Sequence, residues 1–254
     1  MNKEEKVTIS IITVCLNAVN TIEKTINSVI SQSYPYIEYI IIDGLSTDGT
    51  LDIINKYKDK ITHLISEKDN GIYDAMNKGI KFASGKFVYF LGGDDILNTD
   101  IIREVEPYLN SNSKTIYYGQ VILKPQNKLY GKNFSKYKLL RKNLSHQSIF
   151  YPQEVFLDYS FNCKYKISAD WDLNLKLVAT GWYFKYINLI IAEFNTQGVS
   201  SKVDAEFLED RKNLVKMYFG IKELLFYEIY KFILKFLEDL ILIKNKFEKI
   251  FSTK

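Results

Sequence analysis

Short β-branched runs alternate with helical patterns through the N-terminal part of the chain, and this alternation constrains the fold more than any other feature. Thr8 to Val14 reads as a buried strand, Thr21 to Ser31 as a helix with Ile22, Ile26, Val29 and Ile30 on one face, and Tyr39 to Ile42 as a second strand. Thr47 to Tyr57 follows as a helix, Ile61 to Ile65 as a strand, Ile72 to Ala83 as a helix and Lys86 to Leu91 as a fourth strand. Strands that are almost continuously apolar need burial on both faces, and parallel neighbours need a crossover long enough to hold a helix. The expected class is therefore α/β, a mostly parallel central sheet flanked by helices. Ligands of such sheets bind beyond the carboxyl ends of the strands, which puts Asp43 and the Asp94-Asp95 pair on one rim.

From about Thr115 to Phe194 the pattern is mixed, with strand-like Ile116 to Leu123, Ser148 to Tyr151 and Trp182 to Phe194 and a helix over Trp171 to Ala179. These segments read as antiparallel additions to the same domain. Beyond Lys202 the pattern is helical to the end. The expected organisation is one domain over 1–202 and a helical extension over 203–254. A chain of 254 residues with 46% hydrophobic and 25% charged side chains has enough material for such a core. A net charge of +4 is small for this length and does not point to nucleic acid. Cys15 and Cys163 are far apart and outside any CxxC pair, which fits a reducing cytoplasm. No secretory signal is visible, and no apolar run reaches the roughly 20 residues that span a bilayer. The expected location is cytoplasmic.

Four polar constellations stand out. Gly92-Gly93-Asp94-Asp95 follows the apolar run Phe87 to Leu91. Adjacent carboxylates repel, and a divalent cation between them makes the arrangement favourable, so Asp94 and Asp95 are candidate metal ligands; a solvated turn is the other reading. Asp43 ends the second strand before Gly44-Leu45-Ser46-Thr47-Asp48-Gly49-Thr50, either accepting from a nucleotide or ordering a βα loop in which Ser46 or Thr47 caps the next helix. In Asp69-Asn70-Gly71-Ile72-Tyr73-Asp74-Ala75-Met76-Asn77, Asp69 or Asn70 caps a helix that carries Asp74 and Asn77 one turn apart on one face. Ser168-Ala169-Asp170-Trp171 opens a helix, and Asp170 there is an N-cap or a general base. His146-Gln147 precedes a strand; with only two histidines in the chain a multi-histidine metal site is excluded. The segment from Gly79 to Lys86 has the wrong spacing and element order for a phosphate loop, and no GxGxxG is present.

In order, Ser10 to Asn17, Ser31 to Tyr34, Ile41 to Thr50, Asp69 to Gly79, Gly85 to Asp95, His146-Gln147, Ala169-Asp170 and Gly198-Val199-Ser200 resemble the family 2 inverting glycosyltransferases of the GT-A fold. Within that family the chain looks most like bacterial capsule, O-antigen and exopolysaccharide transferases. The resemblance implies that Thr13, Asn17, Asp43, Asp69, Asp74 and Asn77 surround the nucleotide of a sugar donor, most readily UDP-linked. It implies that Asp94 holds Mg²⁺ or Mn²⁺ on the diphosphate, with Asp95 beside it, and that Asp170 is the catalytic base. His146, Gln147 and Trp171 would then form the acceptor rim. Two positions depart from the family pattern. The family often has Asp-Asp where this chain has Asp43-Gly44, and a carboxylate where it has Gly92.

The stretch from Ile221 to Phe251 is a helical pattern with Leu225, Ile229, Phe232, Phe236, Leu240, Ile243 and Phe247 on one wide apolar face, interrupted by lysines and glutamates. Three occupants suit that face: the inner surface of the cytoplasmic membrane near a glycan or lipid-linked acceptor, a second copy in a homodimer, or the core. Two other functions fit the chain less well. A nucleotidyltransferase would need a Gly-rich basic loop that Thr13 to Asn20 lacks, and a non-catalytic nucleotide-sugar-binding protein would have no use for Asp94, Asp95 and Asp170 together.

Overall fold

The computed structural model describes residues 7–110, 113–198, 204–233 and 240. Strands β1 (Ile9–Cys15), β2 (Ile37–Asp43), β3 (His63–Ser66) and β4 (Phe87–Gly92) alternate with helices α1 (Ile22–Ile30), α2 (Thr50–Asn55) and α3 (Ile72–Ile80). Then come β5 (Ile96–Leu97), α4 (Ile101–Val105), β6 (Thr115–Lys124), β7 (Lys128–Tyr130), α5 (Lys136–Leu139) and β8 (Ile149–Pro152). Helices α6 (Val155–Asp158) and α7 (Ala169–Ala179), strand β9 (Tyr183–Asn195) and helix α8 (Ala205–Phe219) complete the labelled elements.

The strands form one sheet in the order β3-β2-β1-β4-β8-β6-β9-β5, with β7 on β6. The β3-β2-β1-β4 half is parallel throughout, as the alternation requires. β8 runs against both β4 and β6, β9 is parallel to β6, and β5 and β7 run against their neighbours. The sheet is thus mixed, a parallel half extended by antiparallel additions. Ile9, Ile11, Ile12, Ile40 to Ile42 and Phe87 to Leu91 are all buried, the two-sided burial that their unbroken apolar runs demand. The register sets Cys15 opposite Asp43 and Val14 opposite Gly92, so these strands end level and their loops share one rim.

The opposite end of β2 carries a buried acid. Glu38 accepts from the Ser10 hydroxyl (2.5 Å), the Ser84 amide (2.8 Å) and the Ser84 hydroxyl (2.7 Å). These donors outweigh desolvation and hold its carboxyl below the ordinary range. Glu38→Ala leaves several donors unpaired and is expected to destabilise the fold by about 1–3 kcal/mol without touching the far rim. Because the folded carboxyl titrates low, this stabilisation is present at neutral pH and is lost as the pH falls below the usual glutamate range. Urea unfolding of both proteins at neutral and acid pH checks it; equal midpoints at neutral pH would refute it.

The chain divides into two compact units, Met1–Phe207 and Leu208–Lys254. Within the second unit, Arg211 is buried with its guanidinium 5.2 Å from the Tyr227 ring, and Lys212 pairs with Glu228 at 3.6 Å. Residues 221–233 are helical. Leu225, Ile229, Phe232 and Leu240, expected on one apolar face, are exposed; Phe236, Ile243 and Phe247 lie outside the described residues. Among the described residues no helix is long and apolar enough to cross a membrane.

Candidate active site

The loop after β1 is tied to the loop after β2 by its own backbone. Asn17 adopts a left-handed conformation (φ 51°), which asparagine tolerates better than most residues. Its amide donates to Ser46 Oγ (2.8 Å) and its Oδ1 accepts from the Thr47 amide (2.9 Å). Asp43 accepts from the Ser46 amide (3.1 Å) and the Ser66 hydroxyl (2.7 Å). This corrects the capping expectation: Ser46 and Thr47 serve the loop, α2 starts at Thr50, and Asp48 receives the Thr50 amide at 3.0 Å. Thr13 and Asp43 are fully buried, Thr13 against the Tyr39 hydroxyl (3.2 Å), so they brace the floor and do not line the cleft. Cys15 lies 3.8 Å from Asp43, and burial first, then that carboxylate, push its thiol up so that it stays protonated and non-nucleophilic.

Above this floor lies a cleft of about 580 Å³ lined by the β1 end through Asn17, Asp69 and the start of α3, Gly92 to Asp95, His146-Gln147 and the segment after β9. The adjacent carboxylates of Asp94 and Asp95 have opposite tasks. Asp95 turns inward, 1% exposed, and accepts from the Gly92 amide (3.1 Å), the Gln147 side chain (2.7 Å) and the Asn195 amide (2.9 Å). Burial, then Asp94, raise its carboxyl to about 6. Asp94 faces the cleft, with Oδ2 accepting from the Asn195 amide group (3.0 Å), and burial raises it too. Three protein donors engage the Asp95 oxygens, which leaves Asp94 the more open carboxylate of the pair toward the cleft. Gln147 is 3% exposed and donates to Asp95, and it also belongs to the wall of the cleft. Among the described residues no three His, Cys, Asp or Glu side chains gather as a metal cage. Asp94 presents its carboxylate to the cleft, which fits a Mg²⁺- or Mn²⁺-type cation, since such ions bind through one or two carboxylates plus substrate phosphates.

The two departures from the family pattern share a cause. A Cβ on Gly92 would sit 2.7 Å from Asp95 Oδ2, so glycine makes room for the inward turn of Asp95. A Cβ on Gly44 would sit 2.4 Å from Asp69 Oδ2, so the Asp69 carboxylate occupies the space over residue 44. Asp69 also accepts from the Gly71 amide (2.9 Å), and the N-cap of α3 is Gly71, not Asp69 or Asn70. Asp74 and Asn77 do not reach the cleft. Asp74 turns to the Asn70 amide (2.9 Å) and Lys78 (3.6 Å), and Asn77 pins Phe161 through both its backbone groups (2.9 and 3.0 Å). In this structure both side chains are engaged within the fold and neither lines the cleft.

Asp170 is the second residue of α7, two places past the N-cap Ser168, so it is not the cap. It is 4% exposed. Its Oδ1 accepts from the Tyr73 hydroxyl and the Trp171 amide, both at 2.8 Å, and its Oδ2 lies 3.1 Å from His146 Nδ1. Burial and the Asp170 charge push the Tyr73 phenol well up, so it remains a donor. Asp170 lines a second cavity of about 310 Å³ with Trp171, Tyr130, Leu144 and Thr196. His146, Gln147, Ile72 and Phe194 belong to the walls of both cavities. The structure thus brings Asn17, Asp69, Asp94 and His146 to one cleft and Asp170 and Trp171 to its neighbour. Sequence reasoning missed Asn195 and Tyr73: the first is a lone polar residue at a strand end, the second an aromatic inside a motif read for its acids.

Comparison with known proteins agrees in one direction. The family model for glycosyl transferase family 2 matches residues 10–173. A PGL/p-HBAD biosynthesis glycosyltransferase of Mycobacterium tuberculosis is 33% identical over 210 residues, 79% of this chain and 82% of that relative. A putative teichuronic acid biosynthesis glycosyltransferase, TuaG, of Bacillus subtilis is 38% identical over 108 residues, 41% of this chain and 43% of that one. Among solved structures, S. aureus TarS 1-349 in complex with UDP superposes with a TM-score of 0.66 at 20% identity, over 83% of this chain and 65% of that one. This chain therefore spans just under two thirds of that fragment. Mannosyltransferase PcManGT from Pyrobaculum calidifontis, in complex with GDP-Man and Mn²⁺, gives a TM-score of 0.62 at 14% identity, over 84% of this chain and 63% of that one. At such identities the likeness is one of fold, the GT-A arrangement.

Proposed function

The chain belongs to glycosyl transferase family 2, and from that premise we propose that it transfers a sugar, with inversion, from a UDP-linked donor to a hydroxyl of a cell-surface glycan or lipid-linked acceptor. The observation that carries this reading is the pair of cavities sharing His146 as a wall, Asp94 facing one and Asp170 lining the other. The donor lies in the larger cleft, its nucleotide against Asn17 and Asp69 and its diphosphate toward Asp94. The acceptor lies in the smaller cavity with its hydroxyl at Asp170. Asp170 takes the hydroxyl proton, the oxygen forms a bond to the anomeric carbon, and the bond from that carbon to the diphosphate breaks with its electron pair on the leaving oxygen. Attack from the Asp170 side, opposite the leaving group, inverts the centre. Mg²⁺ or Mn²⁺ bound at Asp94 would neutralise charge on the diphosphate. The exposed apolar residues of 221–233 and the pattern continuing to 251 support a seat on the inner membrane surface near a lipid-linked acceptor.

Thermal unfolding in a panel of nucleotides and nucleotide sugars, each with Mn²⁺ or EDTA, tests the donor reading. Saturation at a hundred times Kd adds about 2.7 kcal/mol of stability, so UDP with Mn²⁺ is expected to raise the midpoint clearly and EDTA to abolish the rise. A chain that no nucleotide stabilises in either condition would sink the reading. The crowded space over residue 44 yields a finer test. Gly44→Ala displaces the Asp69 carboxylate and is expected to weaken UDP binding about tenfold by calorimetry, the worth of one charge-assisted hydrogen bond. Unchanged affinity would remove Asp69 from the nucleotide site.

A further inference from the structure

From Pro107 to Gln153 the chain carries no aspartate or glutamate, although lysines recur throughout that stretch. The fold gathers part of this charge beside residues that line the second cavity. Tyr130, which lines that cavity, has the Lys142 ammonium 4.5 Å above its ring. Its ring packs 6.1 Å from that of Phe134, which carries the Lys138 ammonium at 4.5 Å. Lys128 sits across the β6–β7 ladder from Leu123, another residue of the cavity wall. The three ammonium groups feel one another: burial first, then Lys128 and Lys138, lower the Lys142 amine. The nearby acid Glu193 is already paired with Lys124 at 3.1 Å, and Asp170 is held by Tyr73, Trp171 and His146. Cations crowded in this way oppose folding unless an anion completes them.

We propose that the second cavity is the acceptor subsite and that the acceptor carries a phosphate group, held by Lys128, Lys138 and Lys142 while its hydroxyl lies at Asp170. This rests on the assignment of Asp170 given above. Phosphate suits the cluster better than carboxylate does. Lysine binds phosphate as a point charge, and one multiply charged tetrahedral anion can be shared among several ammonium groups, whereas a carboxylate carries a single charge. The aromatic faces of Tyr130 and Trp171 supply the apolar lining expected of a ligand cavity of this size. The phosphate belongs either to a soluble polyanionic chain or to a lipid headgroup, and the two are separable.

The full chain is first tested for stabilisation by UDP with Mn²⁺, and loss of that signal would fail the donor reading alone. With the donor cleft so filled, tripolyphosphate binding is measured by calorimetry, and sedimentation is measured with phosphatidylcholine vesicles with and without phosphatidylglycerol. Lys128→Gln/Lys142→Gln is the first variant. Lys138→Gln is kept separate because Lys138 also donates to the Lys132 carbonyl at 2.8 Å. Tripolyphosphate binding that falls about tenfold in the double variant, and weakens with salt, supports a phosphate acceptor of soluble type. Sedimentation that requires phosphatidylglycerol and is lost in the double variant supports a lipid headgroup. If wild type and the double variant bind both probes equally, or neither binds while UDP with Mn²⁺ still stabilises the chain, the phosphate subsite is wrong.

Discussion

Asp170→Asn is expected to lower transfer by about 10²–10⁴-fold while leaving UDP affinity and the unfolding midpoint nearly unchanged. The hydrogen bonds around the carboxylate allow this separation. An asparagine oxygen can still accept from the Tyr73 hydroxyl and the Trp171 amide, as Oδ1 does now. Its NH₂ group then meets His146 Nδ1, which can accept in the neutral ring. Geometry survives and only the charge that takes a proton is lost. Rates come from product formation with a fixed donor, and affinity from calorimetry. A loss of UDP binding as large as the loss of rate would show Asp170 to be a donor ligand or a structural group.

Asp94→Asn is expected to act in the other cavity and on both quantities. Removing the one cleft-facing charge of the pair weakens cation binding, so Mn²⁺-dependent stabilisation by UDP should disappear and transfer should fall by about 10²–10⁴-fold, the equivalent of several kcal/mol of charge stabilisation. The fold should tolerate it, because Asp95 supplies the internal bonds. Retention of a full Mn²⁺ response would place the cation elsewhere.

Most of the fold is legible in the chain, because strand period, β-branching and two-sided burial are local properties. Ile9 to Val14 and Phe87 to Leu91 declare themselves without reference to anything distant. Loop chemistry is less legible. The start of α2 moves from Thr47 to Thr50 because Ser46 and Thr47 are engaged by Asn17, a partner some thirty positions away. The site is harder still. Asp94 and Asp95 are chemically identical neighbours, and what separates them is the arrival of Gln147 and Asn195 from distant segments. Asn77 illustrates the same limit, since a polar helix face looks equally suited to a ligand or to the Phe161 turn that it pins.

The inward turn of Asp95 has a consequence for the order in which the molecule matures. Its carboxylate joins the end of β4 to Gln147 and to Asn195, one hundred residues later in the chain. The parallel half can pair as soon as β4 leaves the ribosome, but the Asp94-Asp95 end of the cleft lacks its Asn195 partners until β9 has been made and docked. Contacts at such sequence separation form late and slowly. A nascent chain halted before Asn195 would hold every strand of the cleft floor and still leave Asp95 short of one hydrogen-bond donor, so the cleft is complete only with the last strand.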